Sequence, residues 1–278
     1  MCGHESANGE ALEGIPGVLP VGTGRRLFRL VRERLRDQER LCVVPMTLGR
    51  DPALVADAAR TLLALEPGER ARVVLSEPFG TAEHLVGWLR AAASRLPAET
   101  ALLVTAPTGG PSEDAELYRI ARLVWQYGRH RIVEVGLTGG DPDPAAGARR
   151  CRRLGAAQVT LLPAAFVVPR PPPAAHCPGP LLTPSGLAQV LRSRAADAWQ
   201  RRYQRGADGI AEGLAAGHGH SHEHRHDDGP DDRHHDGHGD QYGHGHRHDH
   251  RREQDHQNQH GEGQGHAAHA HPTGRSTT

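Results

Sequence analysis

The sequence predicts an α/β protein with two tandem domains, each a small parallel sheet flanked by helices, followed by a disordered tail. Strand-like apolar runs alternate with amphipathic helical runs through the first 205 residues, which is typical of parallel sheets covered by helices. The alternation begins again near residue 99, and polar, histidine-rich sequence replaces it after residue 205. We therefore divide the chain into an N-terminal domain (1–98), a C-terminal domain (99–205) and a tail (206–278).

The first half alternates short apolar runs with helical patterns. Leucine and valine side chains recur on one face of residues 24–38, which predicts a helix. Asp51 can cap another helix that has Pro52 at its first position, and Thr81 can cap the next one. The predicted elements are a strand at 18–21, a helix at 24–38, a strand at 41–47, a helix at 51–65, a strand at 72–76 and a helix at 81–96.

The second half repeats this alternation after Pro97, which ends the preceding helix. A proline-rich connection over 169–180 separates its last strand from its last helix. The predicted elements are a strand at 101–105, a helix at 113–127, a strand at 131–137, a helix at 145–154, a strand at 158–162 and a helix at 184–204.

Two pairs of similar segments indicate an internal duplication. Residues 77–85 match residues 179–187 at a constant offset of 102, and Val43-Val44-Pro45 matches Leu161-Leu162-Pro163 at an offset of 118. In this register the second half opens with a strand, so the first half should have one directly before Gly3. We expect that first strand to be missing or to lie upstream of Met1, because an unpaired apolar slot in a sheet is costly.

Composition excludes several classes of function. Positive and negative charges balance at a formal net charge of +0 and aromatic residues make up 4% of the chain, which argues against nucleic acid as a partner. No apolar run is long enough to span a membrane, and the start has no signal-peptide pattern. The four cysteines form no CxxC pair. We therefore expect a cytoplasmic protein without membrane contact.

The tail predicts metal binding. It holds 17 of the 21 histidines, mostly spaced i, i+2, and neutral imidazole is a common ligand for zinc, nickel, copper and cobalt. Almost no apolar residues accompany them, so we expect a disordered metal reservoir, with Ni²⁺ or Zn²⁺ among its possible ions. The candidate ligands are His218, His220, His222, His224, His226, His234, His235, His238, His244, His246, His248 and His250.

A set of short motifs resembles a known family. Gly3-His4-Glu5-Ser6 stands at the expected carboxyl end of the first strand, where open α/β sheets bind ligands. The order of motifs over about residues 2–200 resembles the long, two-domain sirohydrochlorin cobaltochelatases of cobalamin biosynthesis, in the class II chelatase superfamily. The other segments that carry the resemblance are 43–49, 77–80, 115–123 and 151–155.

The resemblance implies insertion of Co²⁺, as substrate, into the tetrapyrrole sirohydrochlorin, without ATP or an organic cofactor. His4 would hold the ion or accept a pyrrole proton, and Glu5 would assist as a proton acceptor. His84, near the start of a helix at the same sheet edge, would supply a second imidazole. The predicted substrate-binding residues are Ser6, Thr23, Gly24 and, at the cleft mouth for the substrate carboxylates, Arg25, Arg26 and Arg50.

The chain also departs from the family pattern. The position of a second metal-binding histidine holds Ala53, although Asp57 matches the aspartate four residues later. In the second half, residues 106–110 stand where a catalytic histidine would be, so we expect that half to lack its own site. Three hypotheses stay open: an active cobaltochelatase beside other cobalamin-pathway enzymes, a non-enzymatic cobalt or nickel carrier on a chelatase fold, and a ferro- or nickel-chelatase for sirohydrochlorin.

Overall fold

The computed structural model describes residues 1–37, 40–173 and 175–217, and they form two small parallel sheets flanked by helices. This confirms the predicted fold class. None of the helices in these ranges has the length and apolarity needed to cross a bilayer. The strands are β1 (Leu41–Val43), β2 (Val73–Leu75), β3 (Ala101–Pro107), β4 (Val133–Thr138) and β5 (Val159–Pro163). The helices are α1 (Arg25–Asp37), α2 (Pro52–Leu63), α3 (Pro67–Arg70), α4 (Ala82–Ala93), α5 (Pro111–Gln126), α6 (Pro144–Arg153), α7 (Pro184–Arg205) and α8 (Ile210–Ala216), and a 3-10 segment spans His4–Leu12.

The first sheet pairs β1 with β2 in parallel and is extended at one edge by the start of the chain. Cys2 forms a parallel bridge with Met46, and its amide donates to the Val21 carbonyl at 2.8 Å. The predicted strand at 18–21 is wrong, since no strand forms there. Pro20 has no amide hydrogen to donate to a ladder, which limits this stretch to isolated backbone bonds.

The second sheet has the order β4-β3-β5, and a single bridge from His176 to Thr160 of β5 follows at its edge. The first sheet has the same order of neighbours: residue 21, Cys2, β1 and then β2. A shared order of four positions is what an internal duplication predicts. Residue 21 and Cys2 make single contacts where the second half has the strands β4 and β3, and His176 makes a single contact where the first half has β2.

Each half contributes one helix that packs against the sheet of the other half. Helix α4, from the first half, packs against α5 and β5, while α7, from the second half, packs against β1 and β2. Both helices begin after a threonine whose side chain caps the third helical amide: Thr81 caps His84, and Thr183 caps Gly186. The two threonines stand at the predicted offset of 102 residues.

A shared apolar core joins the halves. One cluster of buried side chains contains Met46 and Phe79 from the first half together with Leu102, Leu162 and Leu191 from the second. A second cluster lies around α1, α2 and the first sheet. The division at residues 98 and 99 stays a prediction, since these contacts do not test whether either half folds alone.

Helix α8 falls inside the range that the sequence predicts to be disordered. Its first residue, Ile210, is buried, and the helix packs against α2 and β2. The predicted start of the tail at residue 206 is therefore wrong, because the apolar pair Ile210 and Leu214 extends the second core cluster. The folded part of the chain reaches at least Ala216.

Candidate metal centre

Three loops meet at the carboxyl ends of the strands and bring three metal-ligating side chains together. His4 follows the Cys2 bridge, Asp51 follows β1, and Glu113 lies in the first turn of α5, which follows β3. One possible ligand atom from each residue lies within 4.8 Å of the other two. Among the residues that the structure describes, this is the only such group of three or more histidine, cysteine or acidic side chains.

His4 lies between the two carboxylates. Its Nε2 is 3.1 Å from Oε2 of Glu113, and its Nδ1 is 3.6 Å from Oδ2 of Asp51. Asp51 also caps α2, because its Oδ1 accepts a hydrogen bond from the Leu54 amide at 2.8 Å. The cap fixes the orientation of this carboxylate and leaves Oδ2 facing the imidazole.

Two atoms of the cluster lack hydrogen bonds although they are buried. His4 Nε2 and Glu113 Oε2 have no partner with acceptable hydrogen-bond geometry. Burial raises the pKa of Glu113, and the neighbouring Asp51 carboxylate raises it further, while His4 and Arg50 oppose the shift. Buried polar groups are nearly always satisfied, so an unsatisfied pair beside a second carboxylate fits a cation site. An imidazole and two carboxylates suit a divalent transition metal, and three protein ligands leave coordination positions open.

A polar cavity of about 520 Å³ opens onto the cluster. Of the predicted substrate-binding residues, Thr23, Arg25 and Arg26 line it. Gly24 instead lines a smaller depression next to it, together with Thr23. Within the described ranges neither Arg25 nor Arg26 forms an ion pair, so both guanidinium groups are available to an anionic ligand in the cavity.

Other predicted substrate-binding residues lie in the interior. Arg50 has no exposed side-chain surface, so its predicted place at the cleft mouth is wrong. Four oxygen atoms surround its guanidinium group and account for this burial. Ser6 is also fully buried, and its hydroxyl donates to the Gly3 carbonyl at 3.1 Å.

Glu5 lies beneath the cavity instead of lining it. Its Oε2 accepts a hydrogen bond from the Leu48 amide at 2.6 Å, and the residue is 1% exposed. Burial raises the pKa of its carboxyl group, which the nearby Arg50 guanidinium opposes. Glu5 is therefore not placed to accept a pyrrole proton directly from a substrate in the cavity, because its side chain points into the protein.

The structure does not bring His84 to the cluster. Its side chain is exposed on α4, where it bonds to Thr81 and stacks on Trp88 at 5.7 Å between ring centroids. Ala53, where the family resemblance would place a second histidine, lines the cavity with His4. The predicted tail ligands, from His218 onward, lie outside the described residues.

Sequence reasoning missed Asp51 and Glu113 as site residues. It identified Asp51 only as a helix cap, and the cap is confirmed. Glu113 lies three residues after residues 106–110, the segment where the second half lacks a histidine. That segment carries the carboxylate to the site of the first half. Only the position of acidic residues just after two predicted strands could have indicated both side chains.

Comparison with known proteins gives a partial match. No family model matches the sequence. A segment of 70 residues is 39% identical to a sirohydrochlorin cobaltochelatase of Priestia megaterium, covering 24% of this chain and 23% of that protein. Over this segment the chain resembles a chelatase. The matched segment of this chain spans about a quarter of the length of this relative.

Solved structures are also similar to this chain. One of them, a multi-domain protein of Deinococcus radiodurans described as structurally similar to chelatases and as carrying two additional novel domains, aligns with a TM-score of 0.40 and 22% identity. The alignment covers 60% of this chain and 43% of that protein.

Proposed function

We propose that this protein is a metal chelatase that inserts Co²⁺ into sirohydrochlorin. The observation that carries the proposal is the His4–Asp51–Glu113 cluster at the wall of a cavity that is also lined by Arg25 and Arg26, neither of which forms an ion pair with another described residue. A chelatase needs a site that holds a hydrated divalent ion and also admits an anionic macrocycle. The matching segment of the Priestia megaterium cobaltochelatase supports the choice of substrate and metal.

In this proposal the metal enters first and the macrocycle follows. His4, Asp51 and Glu113 take the place of part of the hydration shell of Co²⁺, and Arg25 and Arg26 bind carboxylates of the substrate. Insertion forms four bonds from the macrocycle nitrogens to the metal and releases two pyrrole protons. Glu113 is placed to accept one of them as its carboxylate releases the ion. His4 accepts the other as it gives up the ion.

The test is metallation of sirohydrochlorin by the full-length protein without oxygen, followed by absorbance. We expect a rate above the spontaneous reaction that falls about 100-fold or more in His4→Ala, since both metal binding and proton transfer depend on this imidazole. His84→Ala is the matched control, because the exposed His84 lies outside the cluster. Equal rates for the protein and for His4→Ala would remove the proposal, and a higher rate with Fe²⁺ or Ni²⁺ than with Co²⁺ would instead identify a ferro- or nickel-chelatase.

The tail is proposed to supply metal to this site. Its 17 histidines, tethered to the folded part, would raise the local concentration of Co²⁺, Ni²⁺ or Zn²⁺. We compare the natural protein with a tail-serine chain, a full-length variant in which these 17 histidines are serine. The natural protein should bind several more ions at about pH 7.5, and most of the excess should disappear at about pH 5, when imidazole is protonated. An equal metal content in the two chains would exclude a metal-binding role for the tail.

A second function has one observation in its favour. With Ala53 in its lining, the cavity has one imidazole, that of His4, among the described residues, and a site with one histidine is weaker than a site with two. A non-enzymatic cobalt or nickel carrier would need metal binding but no macrocycle. Binding of sirohydrochlorin to the cavity separates the two, because a carrier would show metal binding without it. In either case we expect a cytoplasmic protein, and the chelatase would act beside other cobalamin-pathway enzymes.

A further inference from the structure

A buried guanidinium group lies directly behind the metal cluster. Arg50 Nε donates to the Glu113 carbonyl at 3.2 Å, and Nη2 donates to the Pro107 carbonyl at 3.3 Å and to Asp114 Oδ1 at 3.4 Å. Its Nη1 lies 3.9 Å from Oε1 of Glu5. No other described arginine is buried so completely, and its charge is held between two carboxylates and two carbonyl groups.

These contacts link Arg50 to each of the three chain segments that carry the cluster. Asp51 is its neighbour in sequence, and Glu5 is the neighbour of His4. Glu113 offers its own carbonyl, while its next residue, Asp114, accepts from the same guanidinium group. Small shifts of Arg50 would therefore change the separations among His4, Asp51 and Glu113.

Two further hydrogen bonds hold the Asp114 carboxylate in place, so its contact with Arg50 fixes the guanidinium group relative to the start of α5. Its Oδ1 also accepts from the Gly109 amide at 2.9 Å, and its Oδ2 accepts from the Thr108 hydroxyl at 2.8 Å. Arg50 thereby joins the first half of the chain to the start of α5 through a second, buried set of bonds. The other link between these two parts of the chain is the 3.1 Å approach of His4 Nε2 to Glu113 Oε2.

We propose that Arg50 is a positioning residue that sets the geometry of the His4–Asp51–Glu113 metal site. This inference rests on the proposed metal site and goes beyond it by assigning the residue that holds the two halves in register. The planar guanidinium group is required because it donates to three acceptors from fixed directions. A lysine ammonium keeps the charge but cannot make the same set of bonds, and ordered partners behind metal ligands typically account for about 10–100-fold in metal affinity.

The experiment uses the full-length tail-serine chain, so that metal binding by the tail is removed. Co²⁺ is titrated into the chain and into its Arg50→Lys variant, and both the affinity and the visible ligand-field absorbance are recorded. We expect Arg50→Lys to bind Co²⁺ about 10-fold more weakly or worse, with a changed absorbance band that reports altered coordination. Arg194→Lys is the control, since Arg194 also donates to a backbone carbonyl, that of Phe79, and pairs with Glu77 outside the cluster.

The outcomes separate the two proposals. If the chain and its His4→Ala variant bind Co²⁺ equally, the metal site itself is refuted and the role of Arg50 is refuted with it. If His4→Ala loses Co²⁺ while Arg50→Lys matches the parent in affinity and spectrum, only the positioning role is refuted. Should Arg50→Lys fail to fold, Asp114→Asn removes one charged partner of Arg50 and should weaken Co²⁺ binding in the same direction. An unchanged spectrum and affinity in that variant would refute the positioning role.

Discussion

Glu113→Gln should weaken Co²⁺ binding at the cluster by about 100-fold or more and, at neutral pH, should stabilise the metal-free protein. The loss of affinity follows because glutamine cannot supply Co²⁺ with the anionic ligand that Glu113 offers beside His4 and Asp51. The gain in stability follows from the cost of burying an ionised carboxyl group beside a second one. A residue that weakens the fold and is needed for binding is typical of a functional site.

The sign of the stability change depends on pH. Burial and the Asp51 carboxylate raise the pKa of Glu113 above its ordinary value of 4.5, so the folded protein holds this proton more tightly than the unfolded chain. The stability that the protonated group contributes is fully present below about pH 4.5 and is lost as pH rises through the raised pKa. Glu113→Gln should therefore become increasingly stabilising, relative to the parent, as pH rises through this window.

Urea unfolding of the tail-serine chain at several pH values, with and without Co²⁺, measures both effects. Glu116→Gln on the same helix is the control, because Glu116 pairs with Arg119 away from the cluster. That change should cost at most about 0.5 kcal/mol and leave Co²⁺ binding intact. Destabilisation of the metal-free protein by Glu113→Gln at neutral pH would show that the carboxylate has a structural role instead.

Gly109→Ala should also lower the affinity for Co²⁺, but it keeps the Glu113 carboxylate in the chain. A Cβ atom at Gly109 would overlap Oε2 of Glu113 and lie 2.9 Å from its Cδ. Because the overlap is with the end of a flexible side chain, the carboxylate should move away while α5 stays in place. Co²⁺ affinity should fall by about 10-fold or more with little change in stability, as the same two titrations would reveal.

The fold followed from sequence periodicity because each strand and helix has its own apolar pattern. Helices α2 and α4 begin after the predicted caps Asp51 and Thr81, and the structure shows that Thr183 caps α7 in the same way. The strand predicted at 18–21 failed because an apolar pattern does not reveal whether a neighbour can pair with it. Helix α8 was missed because its two apolar side chains find their core only in the folded protein.

The site was predictable only in part, for a different reason. His4 and the lining arginines lie near one another in the first half and follow from motif and charge. Glu113 reaches His4 only because the second half packs its α5 against the first, and no local pattern carries that information. Arg50 illustrates the same difficulty, since an arginine in a loop is usually solvated and this one is buried by acceptors more than 50 residues away in sequence.

Gly49→Ala should destabilise the protein by about 3 kcal/mol or more and disrupt the metal site as well. Gly49 has a φ of 97°, a conformation that residues with a Cβ atom adopt only under strain. An added Cβ would also overlap the Ala82 amide and lie 2.5 Å from the carbonyl carbon of Thr81. Both groups are backbone at the start of α4, so no side-chain rotation relieves the contact.

The consequence for the site follows from the neighbours of Gly49. Leu48 donates its amide to Glu5, Arg50 holds the start of α5, and the Thr47 hydroxyl accepts from the Gly49 and Asp51 amides. A displaced loop would therefore move every group that positions the cluster. Urea unfolding and Co²⁺ titration of the tail-serine chain measure the two losses together. Gly87→Ala on α4 is the matched control: apart from its two chain neighbours and the backbone of its own helix, no atom lies within 4 Å of the added Cβ, and the change should stabilise the helix by about 0.5–1 kcal/mol. A Gly49→Ala variant as stable as its parent would mean that the loop can move away from α4, and with such freedom this loop would not hold Asp51 and Arg50 in a fixed geometry.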